Sequence, residues 1–188
     1  MGSLRGTLSL FRKNLPLPLA KGKGIKGIGL INNLKFIVDC NVGKLVKWLR
    51  LIGYDTRFFN GSNDSHLVAT ALAEGRVILT RDTQIMKQRV ITSGKLKAIL
   101  IQGDEPELQM RQVIDALDLD SKFRPFTLCL ECNQVLVERD RGEAKDLVPP
   151  YVYQTQSQFM QCPACHRIYW RGTHWQAMTK TLKKFAKG

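Results

Sequence analysis

The chain has 188 residues and a formal net charge of +13, from 29 basic and 16 acidic side chains. No apolar run approaches the ~20 residues that a membrane-spanning helix requires, which argues against an integral membrane protein. No N-terminal signal with a continuous apolar core is present, so we expect a soluble, cytoplasmic protein. The length suffices for one ordinary domain and a smaller one stabilised by a metal.

The positive charge is concentrated at the two ends of the chain. Residues 1–34 and residues 121–188 each have a net charge of +6, whereas residues 35–120 have a net charge of +1. Basic segments on either side of a nearly neutral domain would attract an anionic polymer. General solubility and an acidic membrane surface are alternative explanations, and we favour nucleic acid because zinc ribbons on basic domains often bind it.

The first 34 residues lack the pattern of a folded core. Glycine alternates with lysine and isoleucine over residues 21–29, and Pro16 and Pro18 interrupt any helix that begins at Leu8. The sequence therefore predicts a basic, flexible N-terminal extension. An over-extended start site is the alternative interpretation.

From residue 35 onward, short apolar runs alternate with helical patterns. The apolar runs are residues 36–38, 57–59, 77–79 and 98–101. Three of them lack polar alternation, which is typical of parallel strands buried on both faces. Apolar stripes with helical spacing begin at Leu45, Leu67 and Met110, and a weaker helical pattern covers residues 83–92. Residues 35–122 therefore predict an α/β sandwich around a small, mainly parallel sheet.

Two CxxC pairs follow this region, Cys129-Leu-Glu-Cys132 and Cys162-Pro-Ala-Cys165. Four cysteines with this spacing provide the ligands that tetrahedral structural zinc requires. A redox pair would leave the second CxxC unexplained, and disulfides would need an oxidising compartment. The 29 residues between the pairs exceed the commonest zinc-ribbon spacings, so we expect an inserted hairpin or loop. A basic amphipathic helix is then predicted over residues 174–187, with Trp175, Met178 and Leu182 on its apolar side.

Three aspartates occupy positions that favour a second metal site. Asp39 and Asp82 follow predicted parallel strands, and Asp64 precedes a predicted helix. Ligands bind at the carboxyl ends of the strands in open parallel sheets, and grouped carboxylates suit Mg²⁺ or Mn²⁺. Such ions activate water for phosphodiester hydrolysis. Helix capping is the alternative role for Asp64 and Asp82.

Four basic side chains near these acids are candidate RNA contacts: Lys44, Lys47, Arg50 and Arg81. The first three also fit a solvated helix face, and Arg81 also fits an ion pair with an aspartate. Three aromatic residues near the second CxxC, Tyr169, Trp170 and Trp175, have two interpretations. They either stack on unpaired bases or pack the cysteine-rich segment onto the core.

Taken in order, these motifs resemble the Mut-seven-C family of PIN-like ribonucleases. The resemblance includes the segment from Phe36 to Asp55, the helix start at Asp64, and Arg76-Val-Ile-Leu-Thr-Arg-Asp82. It continues through Cys129-x-x-Cys-Asn133 to Cys162-Pro-x-Cys-x-x-Ile-Tyr-Trp-x-Gly-x-His-Trp175, and so covers residues 36 to about 178.

The resemblance implies a PIN-like three-layer sandwich over residues 35–122, followed by a zinc ribbon and helix over residues 123–188. It also implies a Mg²⁺- or Mn²⁺-dependent ribonuclease, expected to be an endonuclease, with Asp39, Asp64 and Asp82 as its metal-binding acids. Asp104 is a candidate fourth acid, although it also fits a helix start. The expected partner is RNA, with no membrane association and no protein partner identified. A non-catalytic RNA-binding module is the alternative function.

Overall fold

Four parallel strands form the sheet around which the chain folds in the computed structural model, which describes residues 34–120 and 122–183. The strands are β1 (Lys35–Asp39), β2 (Thr56–Phe59), β3 (Arg76–Thr80) and β4 (Ala98–Leu100), in the order β2-β1-β3-β4. The predicted α/β class with a parallel sheet is confirmed. The predicted N-terminal extension lies outside the described residues, apart from Leu34.

Helices cover both faces of this sheet. They are α1 (Leu45–Leu51), α2 (Asp64–Glu74), α3 (Thr83–Met86), α4 (Arg89–Thr92) and α5 (Pro106–Leu117). Successive strand residues point to opposite faces. Accordingly, Phe36 and Val38 pack with α1 and α5, whereas Ile37 packs with α2 and α3. The weak pattern over residues 83–92 forms two short helices because Gln88 takes an extended conformation between them.

The cysteine-rich segment forms a second, antiparallel sheet. Its strands are β5 (Val137–Arg139), β6 (Phe159–Gln161) and β7 (Ile168–Tyr169), in the order β5-β6-β7. Two short helices, α6 (Arg141–Ala144) and α7 (Pro150–Thr155), lie between β5 and β6. Ala144, Val152 and Phe159 form a small core beneath them. The segment between the CxxC pairs, for which we expected an inserted hairpin or loop, is thus an antiparallel strand pair whose connection contains two short helices.

The last helix, α8 (Thr173–Lys183), returns to the first sheet. Leu182 is buried in the same core as Phe36 and Leu49, and Trp175 and Met178 pack against that core. The predicted apolar side of this helix is confirmed as far as Leu182, and residues 184–188 lie outside the described part. No helix among residues 34–120 and 122–183 is both long and apolar enough to cross a membrane.

Arg50 joins the two sheets. Its side chain is only 5% exposed, and its guanidinium donates to the carbonyl oxygens of Thr56, Leu130 and Glu131 at 2.7–3.0 Å. Thr56 begins β2, whereas Leu130 and Glu131 lie within the first CxxC pair. The fork of the guanidinium therefore links the edge of the parallel sheet to the cysteine-rich segment.

Asn133 makes a second connection at the same place. Its side-chain oxygen accepts from the Thr56 amide at 3.0 Å, and its amide donates to Asp55 at 2.6 Å. Asp55 also pairs with Arg76 at 2.8 Å. Burial opposes ionisation of Asp55, but the hydrogen bonds from Arg76 and Asn133 outweigh it and lower its pKa.

We predict that Arg50→Met lowers the free energy of unfolding by about 3 kcal/mol or more, because it leaves three carbonyl oxygens without their donor. Arg50→Lys should lose less, since it keeps the charge but lacks the fork. Urea unfolding with zinc held in excess measures both changes. Arg89→Met on the exposed side of α4 is the control, expected within about 0.5 kcal/mol of the parent. A parent-like Arg50→Met protein would contradict this role.

Candidate active site and four-cysteine metal centre

The four cysteines of the two CxxC pairs converge on one point. Their sulfur atoms all lie within 4.8 Å of one another, and three of the pairs are 3.2–3.6 Å apart. A tetrahedral zinc with Zn–S bonds of about 2.3 Å places its sulfurs about 3.8 Å apart. The cluster therefore has the donor atoms and the approximate spacing that zinc requires. Cys40, the fifth cysteine, is exposed and lies elsewhere.

The two CxxC pairs have the same backbone geometry. The residue after each pair, Asn133 or His166, takes a left-handed conformation, with φ of 65° and 58°. Its amide donates to the carbonyl of the first cysteine at 3.0 Å in both cases. The amide of the second cysteine also lies 3.5 Å from the sulfur of the first. Each turn therefore places its two sulfur atoms on the same side of the backbone and directs a backbone amide toward the first of them.

The surroundings favour the thiolate form of Cys129. Burial opposes its ionisation, but the Tyr169 hydroxyl, 3.1 Å away, and two backbone amides lower its pKa to about 6. Burial lowers the pKa of Arg50, whereas the thiolates of Cys129 and Cys132 act in the opposite direction. The buried guanidinium thus compensates part of the negative charge of the cluster.

We expect one tightly bound zinc ion per chain at this cluster. Replacing Cys129, Cys132, Cys162 or Cys165 with serine should reduce the zinc content and unfold the cysteine-rich segment first, because structural zinc contributes its binding energy to folding. Elemental analysis and thermal unfolding measure the two effects. Cys40→Ser is the matched control and should retain one zinc per chain. A folded, reduced parent protein without zinc would contradict the assignment.

Asp39 and Asp82 lie at the carboxyl edge of the parallel sheet. Asp39 ends β1, and Asp82 is the second residue after β3, the strand beside it. The connections from these strands leave in opposite directions: β1 leads to β2 on one side, and β3 leads to β4 on the other. Ligand sites of open parallel sheets form at such a switch point.

Thr80 connects these two aspartates. Its hydroxyl is buried, donates to Asp39 Oδ2 at 2.8 Å, and accepts from the amide of Asp82 at 2.9 Å. Asn41 adds a longer bond to Asp39 Oδ2 at 3.3 Å. Asp39 is itself only 6% exposed, so its carboxylate is held in one orientation.

The other two candidate acids are more exposed. Asp64 lies in the first turn of α2, where Asn63 rather than Asp64 caps the helix by accepting from the His66 amide. Asp104 pairs with Arg81, and the residue preceding α5 is Glu105. Asp82 does act as a cap, because its Oδ1 accepts from the Gln84 amide at 2.6 Å.

The acids do not form a closed ligand cage. Among residues 34–120 and 122–183, only the four cysteines form a set of three or more ligand side chains within 4.8 Å of one another. The chemistry of the acids still suits a hard cation. The hydrogen bonds from Thr80 and Asn41 both reach Asp39 Oδ2, and the one from the Gln84 amide reaches Asp82 Oδ1. Because Mg²⁺ keeps several waters and takes one or two carboxylates, it does not require all three aspartates in direct contact.

The basic candidates have different surroundings. Lys44 and Arg81 line a crevice of about 400 Å³ beside Asp39, together with Cys40, Asn41, Val42, Gly43, Asp104 and Gln109. Lys47 is exposed and pairs with Glu131 at 2.7 Å. Arg50 is buried, so the prediction that it faces RNA is wrong. Its partners lie about 80 residues away in the sequence, which is why the helical pattern did not reveal them.

We predict that Thr80→Val lowers the free energy of unfolding by about 1–3 kcal/mol, because it leaves Asp39 and the Asp82 amide without their shared partner. Valine has nearly the same shape, so packing should change little. Thr80→Ser keeps the hydroxyl and should cost less than Thr80→Val. Chemical denaturation compares the two variants, and equal losses would show that the hydroxyl has no such role.

Comparison with known proteins gives one match. A family model described as the Mut7-C RNAse domain matches residues 34–182, which include both sheets, the four cysteines and nearly all of α8. No curated protein and no solved structure matches the chain significantly.

Proposed function

The chain belongs to the Mut7-C RNAse domain family, and we propose that it is an endonuclease that hydrolyses RNA with Mg²⁺ or Mn²⁺. The observation that carries this proposal is the buried Asp39, fixed by Thr80 at the switch point of the sheet and adjoining Asp82. A carboxylate held this way beside a polar crevice is a preorganised ligand. We assign the nuclease activity to a PIN-like core over residues 35–122.

Each acid has a distinct part in this proposal. Asp39 and Asp82 would hold the ion, since Thr80 links the two at the carboxyl edge of the sheet. Asp64, which is exposed, would bind through water or on substrate entry, and Asp104 would lie at the rim. When bound, the divalent ion supplies a Lewis acid and lowers the pKa of water at the scissile phosphate.

In this proposal, Lys44 and Arg81 bind phosphate groups of the RNA. Both line the crevice, and the ion pair with Asp104 holds the Arg81 guanidinium there. A phosphate group that displaces the Asp104 carboxylate would form an ion pair with Arg81 in its place. The remaining segments would contribute affinity: the zinc ribbon and helix over residues 123–188, and the basic residues 1–34.

We predict that Asp39→Asn and Asp82→Asn each reduce RNA cleavage about 100-fold or more, because they weaken the ion site. Asp64→Asn should also impair cleavage, and Asp104→Asn should have a smaller effect. Gel assays with Mn²⁺ measure the rates, and RNA binding should remain largely intact. Asp115→Asn on the exposed face of α5 is the control and should cleave like the parent protein.

A circular RNA distinguishes the mode of cleavage. An endonuclease linearises it, whereas an exonuclease needs an end and leaves it intact. If the three aspartate variants cleave as fast as the parent, the nuclease assignment is wrong. Binding without any cleavage by the parent would instead favour a non-catalytic RNA-binding module.

A further inference from the structure

Three cavities form a continuous path from the crevice beside Asp39 to the cysteine-rich segment. The crevice shares Gly43 and Lys44 with a second cavity of about 480 Å³. This second cavity in turn shares Leu130, His174 and Met178 with a third, also of about 480 Å³. The path therefore crosses from the parallel sheet, over α1 and α8, to the cysteine-rich segment.

The third cavity, which we call the aromatic groove, is mainly apolar. Its walls come from the cysteine-rich segment, α7 and α8, and include Tyr151, Tyr169, Trp170 and Trp175. Tyr151 is 63% exposed, unusually high for a large aromatic side chain. The other three have structural partners: Tyr169 contacts Cys129, Trp170 packs on the small core beneath α7, and Trp175 packs on the main core. Tyr151 is therefore the ring most available to a ligand.

The path between crevice and groove is basic. Lys44 and Lys47 line the second cavity, and the Lys47 ammonium also pairs with Glu131 at 2.7 Å. His174 lies where that cavity meets the groove. Among the described residues that line the three cavities, Asp104 is the only acid, and it is paired with Arg81. A row of cations leading to an aromatic surface suits a chain of phosphates that carries flat, apolar bases.

We propose that the aromatic groove binds unpaired bases of the RNA substrate, while Lys44 and Lys47 contact the phosphates that connect these bases to the crevice. The proposal rests on the proposed function for its choice of RNA. It adds that the substrate is single-stranded beside the cleavage site. A duplex keeps its bases stacked inside the helix and has none to place in the groove.

Binding to a single strand and to a duplex provides the test. The Asp39→Asn protein would be titrated into a labelled, unstructured 20-nucleotide RNA and into the same RNA annealed to its complement. Adding Tyr151→Ala should raise the Kd for the single strand about 5- to 100-fold, the range for loss of one stacked base, and change the duplex Kd less than about twofold. Tyr151→Phe keeps the ring and should retain most of the affinity.

Two further comparisons locate the effect. Lys47→Gln should weaken the binding of both RNAs and reduce its salt dependence, whereas Lys97→Gln, outside all three cavities, should not. Replacing consecutive bases on one side of the scissile bond with abasic nucleotides should weaken binding to the Tyr151-containing protein. The Tyr151→Ala protein should be insensitive to that change, because the two losses remove the same contact.

Several outcomes would overturn the proposal. Equal losses for single strand and duplex would show a general effect on the surface, and unchanged single-strand binding would exclude the groove. A concentration-dependent dimer of the parent that Tyr151→Ala abolishes would assign the groove to contact between copies. Failure of the parent to cleave RNA would reject the proposed function but leave the binding comparison readable, since it uses a variant that need not cleave.

Discussion

The guanidinium of Arg50 is the interaction on which the arrangement of the two sheets depends. It is buried and donates to carbonyl oxygens from two distant parts of the chain. One of these oxygens belongs to Thr56, the first residue of β2, and the others belong to Leu130 and Glu131 in the first CxxC turn. A change in the position of one therefore requires a change in the other.

This connection also protects the sheet. Strand β2 lies at its edge, where unpaired backbone groups are open to pairing with another chain. At Thr56 both backbone groups already have side-chain partners. Its carbonyl accepts from the Arg50 guanidinium, and its amide donates to the side-chain oxygen of Asn133. Neither group is therefore open to a strand from another chain. Gly53 brings the following chain close to the same corner, where a Cβ would lie 2.4 Å from the Arg124 carbonyl. The cysteine-rich segment thus covers the start of the edge strand as well as forming the four-cysteine cluster.

Much of the fold was predictable because its signals are local. The apolar runs and the helical stripes each depend on neighbouring residues, and the structure places them as expected. The convergence of the four cysteines was predictable from the spacing of the two CxxC pairs. The helical insertion between β5 and β6 was not predicted, because its core residues, such as Val148 and Phe159, meet only after the chain folds back.

The candidate site shows the same limit. The positions of Asp39 and Asp82 at one edge followed from the strands that precede them. An ion pair between Arg81 and an aspartate was one interpretation of the sequence, but nothing identified Asp104 as the partner. The sequence also did not indicate that Thr80 links Asp39 and Asp82, or that Arg50 is buried. Each of these contacts joins residues whose proximity is set by the tertiary fold, and a pattern of apolar spacing carries no information about which polar groups will meet.

The packing of α8 has a consequence for how the protein is made. Strand β4 ends at Leu100, but the core that includes β1 and β3 is completed by Leu182, which is synthesised 82 residues later. While the ribosome translates the intervening segment, the parallel sheet is present without one of its covering helices. The nascent chain therefore has an exposed apolar surface for the several seconds that these residues take, at about 5–20 residues per second. Chaperone dependence during synthesis is the expected cost of placing a core helix so far along the chain.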